Sequence, residues 1–264
     1  MKRKLAVWLA AGMLVLGLAV LLYPAVSSAI NRQHGSYAIQ QYREQLADLD
    51  SEGMKSQLEA AAKYNKQLKT TGVPDEAHYD QIMNFGNGIM GYITIGKINV
   101  MLPIYHGVST EVLEKGVGHL PSSMFPVGGE GNHAVLTGHT GLPSARLFTD
   151  LAQLVVGDVF EVTVGSHSVS YLVDQILVVL PEETEQLMPV AGEDYCTLVT
   201  CTPYGVNSHR LLVRGTRVEL TEEETVSAAV ETVTQEQGSG WLWSLTAIPF
   251  GLLLIWKRKR GSHG

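Results

Sequence analysis

Two uncharged apolar segments near the ends of the chain constrain its fold more than any other feature. Residues 5–22 form a run of 18 residues without a charged side chain, and residues 241–256 form a run of 16. Each run is close to the minimum length of a helix that crosses a bilayer core of about 30 Å. Tryptophans stand at or near the ends of both runs, as aromatic residues do at membrane interfaces. The pattern predicts two transmembrane helices that flank one domain.

The charge distribution predicts on which side of the membrane that domain lies. Lysines and arginines flank both apolar runs on their terminal sides, whereas residues 31–240 contain 12 basic and 26 acidic residues, a net charge of −14. The positive-inside rule then places both termini in the cytoplasm and the acidic middle outside the cell. Such an acidic domain is a poor partner for nucleic acid, since binding phosphates requires a basic face. A cleaved signal peptide, cut near the small residues 27–29, is the alternative for the first run, and the domain is exported either way.

Composition divides the chain into six segments. Residues 31–70 are rich in helix-forming residues without proline, and residues 221–240 are acidic and rich in Thr and Ser, as flexible linkers are. A break in the helical region is expected near Gly53, and both a solvated stalk and an arm packed on the domain remain open. The segments are a cytoplasmic tip with the membrane anchor (1–30), a helical arm and connection (31–87), a β domain (88–220), an acidic linker (221–240), a second membrane segment (241–256) and a basic cytoplasmic tail (257–264).

Short β-branched runs of alternating polarity begin near residue 88. Their density and their glycine-rich turns favour a β-sandwich or a closed barrel with short helices. Strands are predicted at residues 91–95, 98–102, 133–137, 159–164, 169–173, 175–179, 197–201 and 209–213, with 220 as the alternative end of the last one, and short helices at 110–115 and 143–152.

The two cysteines of the chain have different surroundings. Cys196 and Cys201 are five residues apart in one predicted strand, which places them roughly 16 Å apart, beyond the limit of about 7 Å for a disulfide. At least one of them is therefore expected to be a free thiol. Cys196 fits a core position. Cys201 ends the strand, and Pro203 and Gly205 force a loop after it, so its thiol is expected to point out of the core.

A thiol attacks a carbonyl group as the thiolate, and an imidazole commonly acts as its base or counter-ion. His139 is the best candidate because it also follows an apolar strand and lies between glycines. Arg210 comes nine residues after Cys201, at the start of the next strand, where it can face the thiol. From the residues alone, a core cysteine, a structural histidine and a surface arginine remain alternatives. The other eight histidines are interpreted as structural, and no cysteine or histidine spacing indicates a metal site.

Four longer motifs show a resemblance to a known family. They cover residues 88–219 and resemble class C sortases, the pilus-assembling cysteine transpeptidases; the second membrane segment also suits that class. The motifs are TLVTCTPYGVNSHRLLVRG from Thr197, GYITIGKINVMLPIYHG from Gly91, EKGVGHLPSS from Glu114 and HAVLTGHTGLPSARLFTDL from His133.

The resemblance implies a closed sortase β-barrel and a specific chemistry. Cys201 would attack the Thr–Gly bond of an LPXTG-like sorting signal in a pilin or other surface protein and form a thioester. His139 would act as the acid and base, and Arg210 would stabilise the oxyanion. A lysine amine of another pilin would then resolve the thioester, without a metal or organic cofactor. The substrate-binding candidates are Gly138, Leu142, Thr200, Thr202 and Tyr204.

One family feature is absent from the sequence. Many class C sortases have an N-terminal lid with an Asp-Pro-aromatic motif, and this chain contains no Asp-Pro dipeptide. The corresponding connection offers only Pro74, Asp75, His78 and Tyr79 as lid candidates. We therefore expect an active-site cleft that is open or covered in another way.

Two other functions are carried as alternatives. A housekeeping-type sortase would use the same chemistry as far as the thioester and then transfer the acyl group to the amine of a cell-wall precursor. A non-enzymatic surface protein could use the C-terminal apolar run as a sorting signal of its own. Residues 231–240, directly before that run, contain no LPXTG-like pentapeptide, which argues against this last alternative.

Overall fold

The structure, a computed structural model, describes residues 2–219. The predicted acidic linker, the second membrane segment and the basic tail, residues 221–264, lie outside the described residues. The described part consists of an N-terminal helical region and a closed β-barrel.

Four α-helices occur in the described residues: α1 (Lys2–Ala47), α2 (Ser51–Thr71), α3 (Glu76–Tyr79) and α4 (Thr110–Leu113). The break between α1 and α2 falls just before Ser51, not at Gly53 as the sequence indicated. Asp50 is the N-cap of α2, and its carboxylate accepts a hydrogen bond from the Gly53 amide at 2.8 Å. Gly72 ends α2 in the left-handed conformation, at φ 66°, which a residue with a Cβ adopts only at a cost.

Helix α1 is long and apolar enough to cross a membrane, by its length and composition, and it is the one such helix within residues 2–219. The predicted span 5–22 lies in its first half, where all side chains are exposed. The predicted helical arm is a packed one, because Ala61, Tyr64 and Leu68 of α2 belong to the same hydrophobic core as the barrel.

Eight strands close into a barrel in the order β1-β2-β3-β4-β7-β8-β6-β5, which confirms the predicted fold. Closure pairs every strand on both sides and leaves no free sheet edge. The strands are β1 (Ile89–Ile95), β2 (Val100–His106), β3 (Val117–His119), β4 (Asn132–Thr137), β5 (Val159–Val164), β6 (His167–Val179), β7 (Asp194–Thr202) and β8 (His209–Val218).

Three local predictions were wrong. Residues 143–152 form turns and one short 3₁₀ helix, Leu151–Gln153, instead of an α-helix. The predicted strands 169–173 and 175–179 are one strand, β6, with an irregularity in its pairing with β8 between Val173 and Gln175. The pattern did not indicate β3, which has only three residues and is held by pairing with β2 and β4.

The barrel has two different ends. At the Cys201 end, β4 and β7 finish and β8 begins, and the loops 138–158 and 203–208 emerge there. At the opposite, helix-capped end, α2 and α3 cover the barrel. There the Tyr64 hydroxyl donates to the carbonyl of Pro121 at 2.7 Å, and the Asn65 side chain bonds both backbone groups of Phe125.

Candidate active site

Strand β7 places its two cysteines on opposite faces of the barrel wall. Successive side chains of a strand point to opposite faces. Cys196 and Leu198 point inward and belong to the hydrophobic core. Cys201, three residues after Leu198, therefore points outward; it is half-buried, and both thiols are free. The predicted core position of Cys196 and the outward direction of Cys201 follow from this one alternation.

The candidate residues fall in one row across three neighbouring strands. Cys201 of β7 lies directly opposite Arg210 of β8 in an antiparallel pair. On its other side β7 runs parallel to β4, with Val199 beside Thr137. Continuing that register by two residues places His139 beside Cys201. Adjacent strands are about 4.8 Å apart, so all three candidates meet at the Cys201 end of the barrel.

Two contacts hold the backbone before His139 against β7. The Gly138 amide donates to the Val199 carbonyl at 3.0 Å, and the Thr200 hydroxyl donates to the Gly138 carbonyl at 2.7 Å. A Cβ at Gly138 would come within 2.8 Å of the Phe148 ring, so glycine is needed at this close approach. The Phe148 amide in turn donates to the His139 carbonyl at 3.1 Å. The backbone of His139 is thus fixed while its side chain stays half-exposed.

Arg210 is oriented by the loop between β7 and β8. Its Nη1 donates to the carbonyls of Asn207 at 3.3 Å and His209 at 3.1 Å. Within residues 2–219, Nε and Nη2 of Arg210 have no hydrogen-bond partner. Those donors are available for a developing negative charge or a peptide carbonyl near Cys201.

The substrate-binding candidates divide into two groups. Thr200 and Gly138 are buried and bond each other, so their positions suit the alignment of β4 and β7 and leave no surface for a substrate. Thr202 and Leu142 are half-buried, and Tyr204 is exposed by 69%. The Tyr204 ring lies within 3.2 Å of where a Cβ of Gly141 would be, so the loops after β4 and β7 touch beside His139.

The lid candidates lie at the helix-capped end, away from Cys201. The Tyr79 ring stacks on His119 with centroids 5.8 Å apart, and its hydroxyl accepts from the Gly107 amide at 3.0 Å. Asp75 pairs with His78 at 2.9 Å within the connection itself. Pro74, between α2 and α3, belongs to the same short connection.

Sequence reasoning missed the floor of the site and the course of the loop that joins β6 to β7. Val199 and Leu212 point outward beneath the row, and Leu212 is buried although it is on the outer face. The loop 180–193 between β6 and β7 lies against the outer face of β4, since the His133 Nδ1–H donates to the Met188 carbonyl at 3.0 Å. An apolar residue at an outward strand position, such as Leu212, was the available signal for a covered outer surface.

The remaining cysteine and two of the other histidines are in surroundings unlike those of the row. Complete burial raises the pKa of the Cys196 thiol far above its usual range, so that thiol stays protonated. Burial lowers the pKa of His119 to about 4 and also lowers that of His133. The His119 and His133 imidazoles are therefore neutral at neutral pH and hydrogen-bonded within the protein, whereas Cys201 and His139 are both half-exposed.

Comparison with known proteins agrees with this geometry. The Sortase domain model matches residues 93–218. Sortase C1 from Streptococcus agalactiae is 45% identical, with a TM-score of 0.67, and the match covers 70% of this chain and 100% of that one. The X-ray structure of Clostridium perfringens sortase C with the C-terminal cell wall sorting motif is 40% identical, with a TM-score of 0.63 and coverage of 70% and 100%. Sortase D of Bacillus subtilis (strain 168) is 30% identical over 131 residues, 48% of this chain and 63% of that protein.

A closed barrel with an outward cysteine at a strand end, opposite an arginine, fits a cysteine transpeptidase. The chain belongs to the sortase family, whose members are such enzymes. Its structural neighbours are class C sortases, as the sequence motifs indicated. The chain spans less than two thirds of the length of the curated relative from B. subtilis.

Proposed function

We propose that this chain is a pilin-polymerising transpeptidase that cuts an LPXTG-like sorting signal between Thr and Gly and joins the new acyl end to a lysine of another pilin. The observation that carries the proposal is the outward row in which Cys201 lies opposite Arg210 and the register brings His139 beside them. The class C neighbours support the pilus assignment, since one of them is named as the sortase C1 of a pilus island.

The first half of the reaction forms the acyl-enzyme. The Cys201 thiolate attacks the carbonyl carbon of the Thr, and the carbonyl oxygen becomes an oxyanion near the free donors of Arg210. The oxyanion collapses, the C–N bond to Gly breaks, and the imidazolium of His139 gives its proton to the departing amine. The Thr acyl group is then held as a thioester on Cys201.

The second half of the reaction releases the enzyme. The ε-amine of a lysine from another subunit attacks the thioester carbonyl and loses a proton to the neutral His139. The C–S bond breaks, the Cys201 thiolate leaves, and an isopeptide bond has formed. The thiolate and the imidazolium are restored, and no atom changes its oxidation state, so the reaction needs no redox partner and no cofactor.

The test uses the full chain in lipid nanodiscs. It is incubated with a fluorescent peptide that carries an LPXTG-like signal and with a folded pilin-type domain that presents lysines, and the products are identified by mass spectrometry. We expect an isopeptide-linked product with wild type and with Cys196→Ala, and a rate lower by about 10³-fold or more with Cys201→Ala.

Other products decide between the alternatives. Linkage of the peptide to a cell-wall precursor amine, with no lysine-linked product, would establish the housekeeping-type reaction instead. Peptide cleavage that persists at the wild-type rate in Cys201→Ala would rule out the thioester mechanism altogether.

A further inference from the structure

Helix α1 has a defined direction along the barrel. Near its C-terminal end, the Tyr42 hydroxyl donates to the Met90 carbonyl at 3.0 Å, at the helix-capped end of β1. Further up, Gly35 lies over Pro103 in the middle of β2. Finally, the Ser27 hydroxyl donates to the carbonyl of Ser144 at 3.2 Å, in the loop that follows His139. Towards its N-terminus, α1 therefore runs from the helix-capped end to the Cys201 end.

The apolar part of α1 begins where the barrel stops. Ser27 and Ser28 are the last half-buried residues in this direction, and residues 3–26 are exposed. The uncharged run 5–22 ends five residues before Ser27, a distance of about 7.5 Å at the rise of an α-helix. When this run crosses a bilayer, the Cys201 end of the barrel is the end next to the membrane surface.

Independent evidence comes from apolar side chains at the same end. Six of the large apolar residues exposed there come from three separate segments of the chain: Val155 and Val156 before β5, Val178 and Leu180 at the end of β6, and Tyr204 and Val206 after β7. Their exposure ranges from 41% for Leu180 to 69% for Tyr204. Strand β6 continues seven residues past Leu172, its last partner position with β5, so Val178 projects from the barrel although its partner Leu211 is buried.

The charged side chains at this end include two ion pairs and a short exposed acidic segment. Lys97 is paired with Asp158 at 2.8 Å, and Arg146 with Asp150 at 2.6 Å. Glu182, Glu183 and Glu185 follow Leu180 closely and are exposed. These carboxylates do not attract anionic lipid, so electrostatic attraction is not the expected driving force. Apolar side chains that project from loops next to a membrane anchor are suited to the boundary between headgroups and acyl chains.

We infer that the Cys201 end of the barrel docks on the lipid surface of the bilayer that α1 crosses, through the exposed apolar side chains 155, 156, 178, 180 and 206. The partner is the lipid itself. The row of Cys201, His139 and Arg210 then lies next to the membrane surface and does not face the solvent on the side of the domain away from the membrane. The inference stands on the course of α1 and on the exposed residues, and it does not depend on the proposed reaction.

The experiment measures the depth of both ends in the membrane. The full chain, with Cys201→Ala to remove the reactive thiol, is labelled with a fluorophore at Val206→Cys or, as a matched control at the helix-capped end, at Val108→Cys. Both native side chains are exposed. In nanodiscs of zwitterionic lipid with spin-labelled headgroup-region quenchers, we expect quenching at 206 to be at least about threefold that at 108. Anionic lipid is not expected to raise this ratio, because exposed acidic residues follow Leu180 closely.

A second variant separates docking from mere closeness to the anchor. Changing Val155, Val156, Val178 and Leu180 to Ser should lower quenching at 206 to the level at 108, with the thermal unfolding midpoint unchanged. Equal quenching at both ends, or quenching that the serine variant leaves intact, would overturn the inference. The inference would also be overturned if quenching of the fluorophore at 206 changed only when the protein self-associates, or only when a sorting-signal peptide is added.

Discussion

Polar side chains are buried and hydrogen-bonded at one end of the barrel and partly exposed at the other. At the helix-capped end, His119 is completely buried, its Nε2–H donates to the Met124 carbonyl at 2.8 Å, and its Nδ1 lies 2.9 Å from the Tyr79 hydroxyl. At the Cys201 end, Cys201, His139 and Arg210 are half-exposed. The same strands serve both ends, because β4 and β7 begin at one and finish at the other. Burial and hydrogen bonding at the helix-capped end stabilise the barrel. The Cys201 end can therefore keep the candidate side chains accessible to solvent.

The largest effect is expected from the two thiols of β7. A thiol reacts as the thiolate and must be reached by the reagent. Cys196 is buried with a raised pKa, so we expect iodoacetamide to modify Cys201 at least about 10³-fold faster in the native protein. Mass spectrometry of the modified peptides over time measures the ratio.

Two controls sharpen this result. In denaturant the two cysteines should react at similar rates, and Cys201→Ala should leave only the slow reaction in the native protein. Comparable native rates for both thiols would show that β7 does not separate them into core and surface.

The next effect concerns two arginines on the outer face of β8. Arg210→Ala removes the donors beside Cys201 and should lower the transpeptidation rate by about 10²–10³-fold with little change in stability. Arg214 makes two hydrogen bonds to Asp174, at 3.0 and 2.7 Å, and its guanidinium carbon lies 4.2 Å from the Tyr195 ring centroid. Arg214→Ala should instead lower the free energy of unfolding by about 1–3 kcal/mol and leave the rate of the folded enzyme unchanged.

Rates and urea unfolding of the two arginine variants, measured side by side, check this separation. If both variants lost activity and stability in the same proportion, Arg210 would have a structural role like that of Arg214.

The smallest effect is a pH dependence of stability from the helix-capped end. Burial lowers the pKa of His119 from 6.5 to about 4, so the unfolded chain binds a proton between these values when the folded chain does not. The stabilisation is present above pH 6.5 and is lost as the pH falls towards 4. With 1.36 kcal/mol for each pKa unit, the loss is about 3 kcal/mol.

Urea unfolding at pH 7 and pH 4 measures this loss, and His119→Gln serves as the comparison. The glutamine keeps a donor for the Met124 carbonyl, but it fills the buried site less well than the imidazole, so the variant should be less stable at pH 7. Because the glutamine cannot titrate, the free energy of unfolding of the variant should decrease less between pH 7 and pH 4. An equal decrease in both proteins would assign the effect to other groups.

Local sequence determined the parts of this protein that depend on neighbouring residues. Strand alternation separates Cys196 from Cys201, and a Pro and a Gly turn the chain directly after the thiol. Where the local pattern was ambiguous the predictions were wrong: the break before α2 depends on the Asp50 cap rather than on Gly53, and residues 143–152 fold into turns around the buried Phe148 instead of a helix.

Tertiary structure alone decided how distant segments meet. The sequence itself indicated the candidate residues, since the thiol and the imidazole follow apolar runs and the guanidinium precedes one. The row forms because β4 pairs in parallel with β7, more than 50 residues further on, and a parallel register has no turn that could specify it locally. The same holds for Tyr79 at the helix-capped end and for the course of α1 past Ser144: long-range packing, which no local pattern encodes, set both.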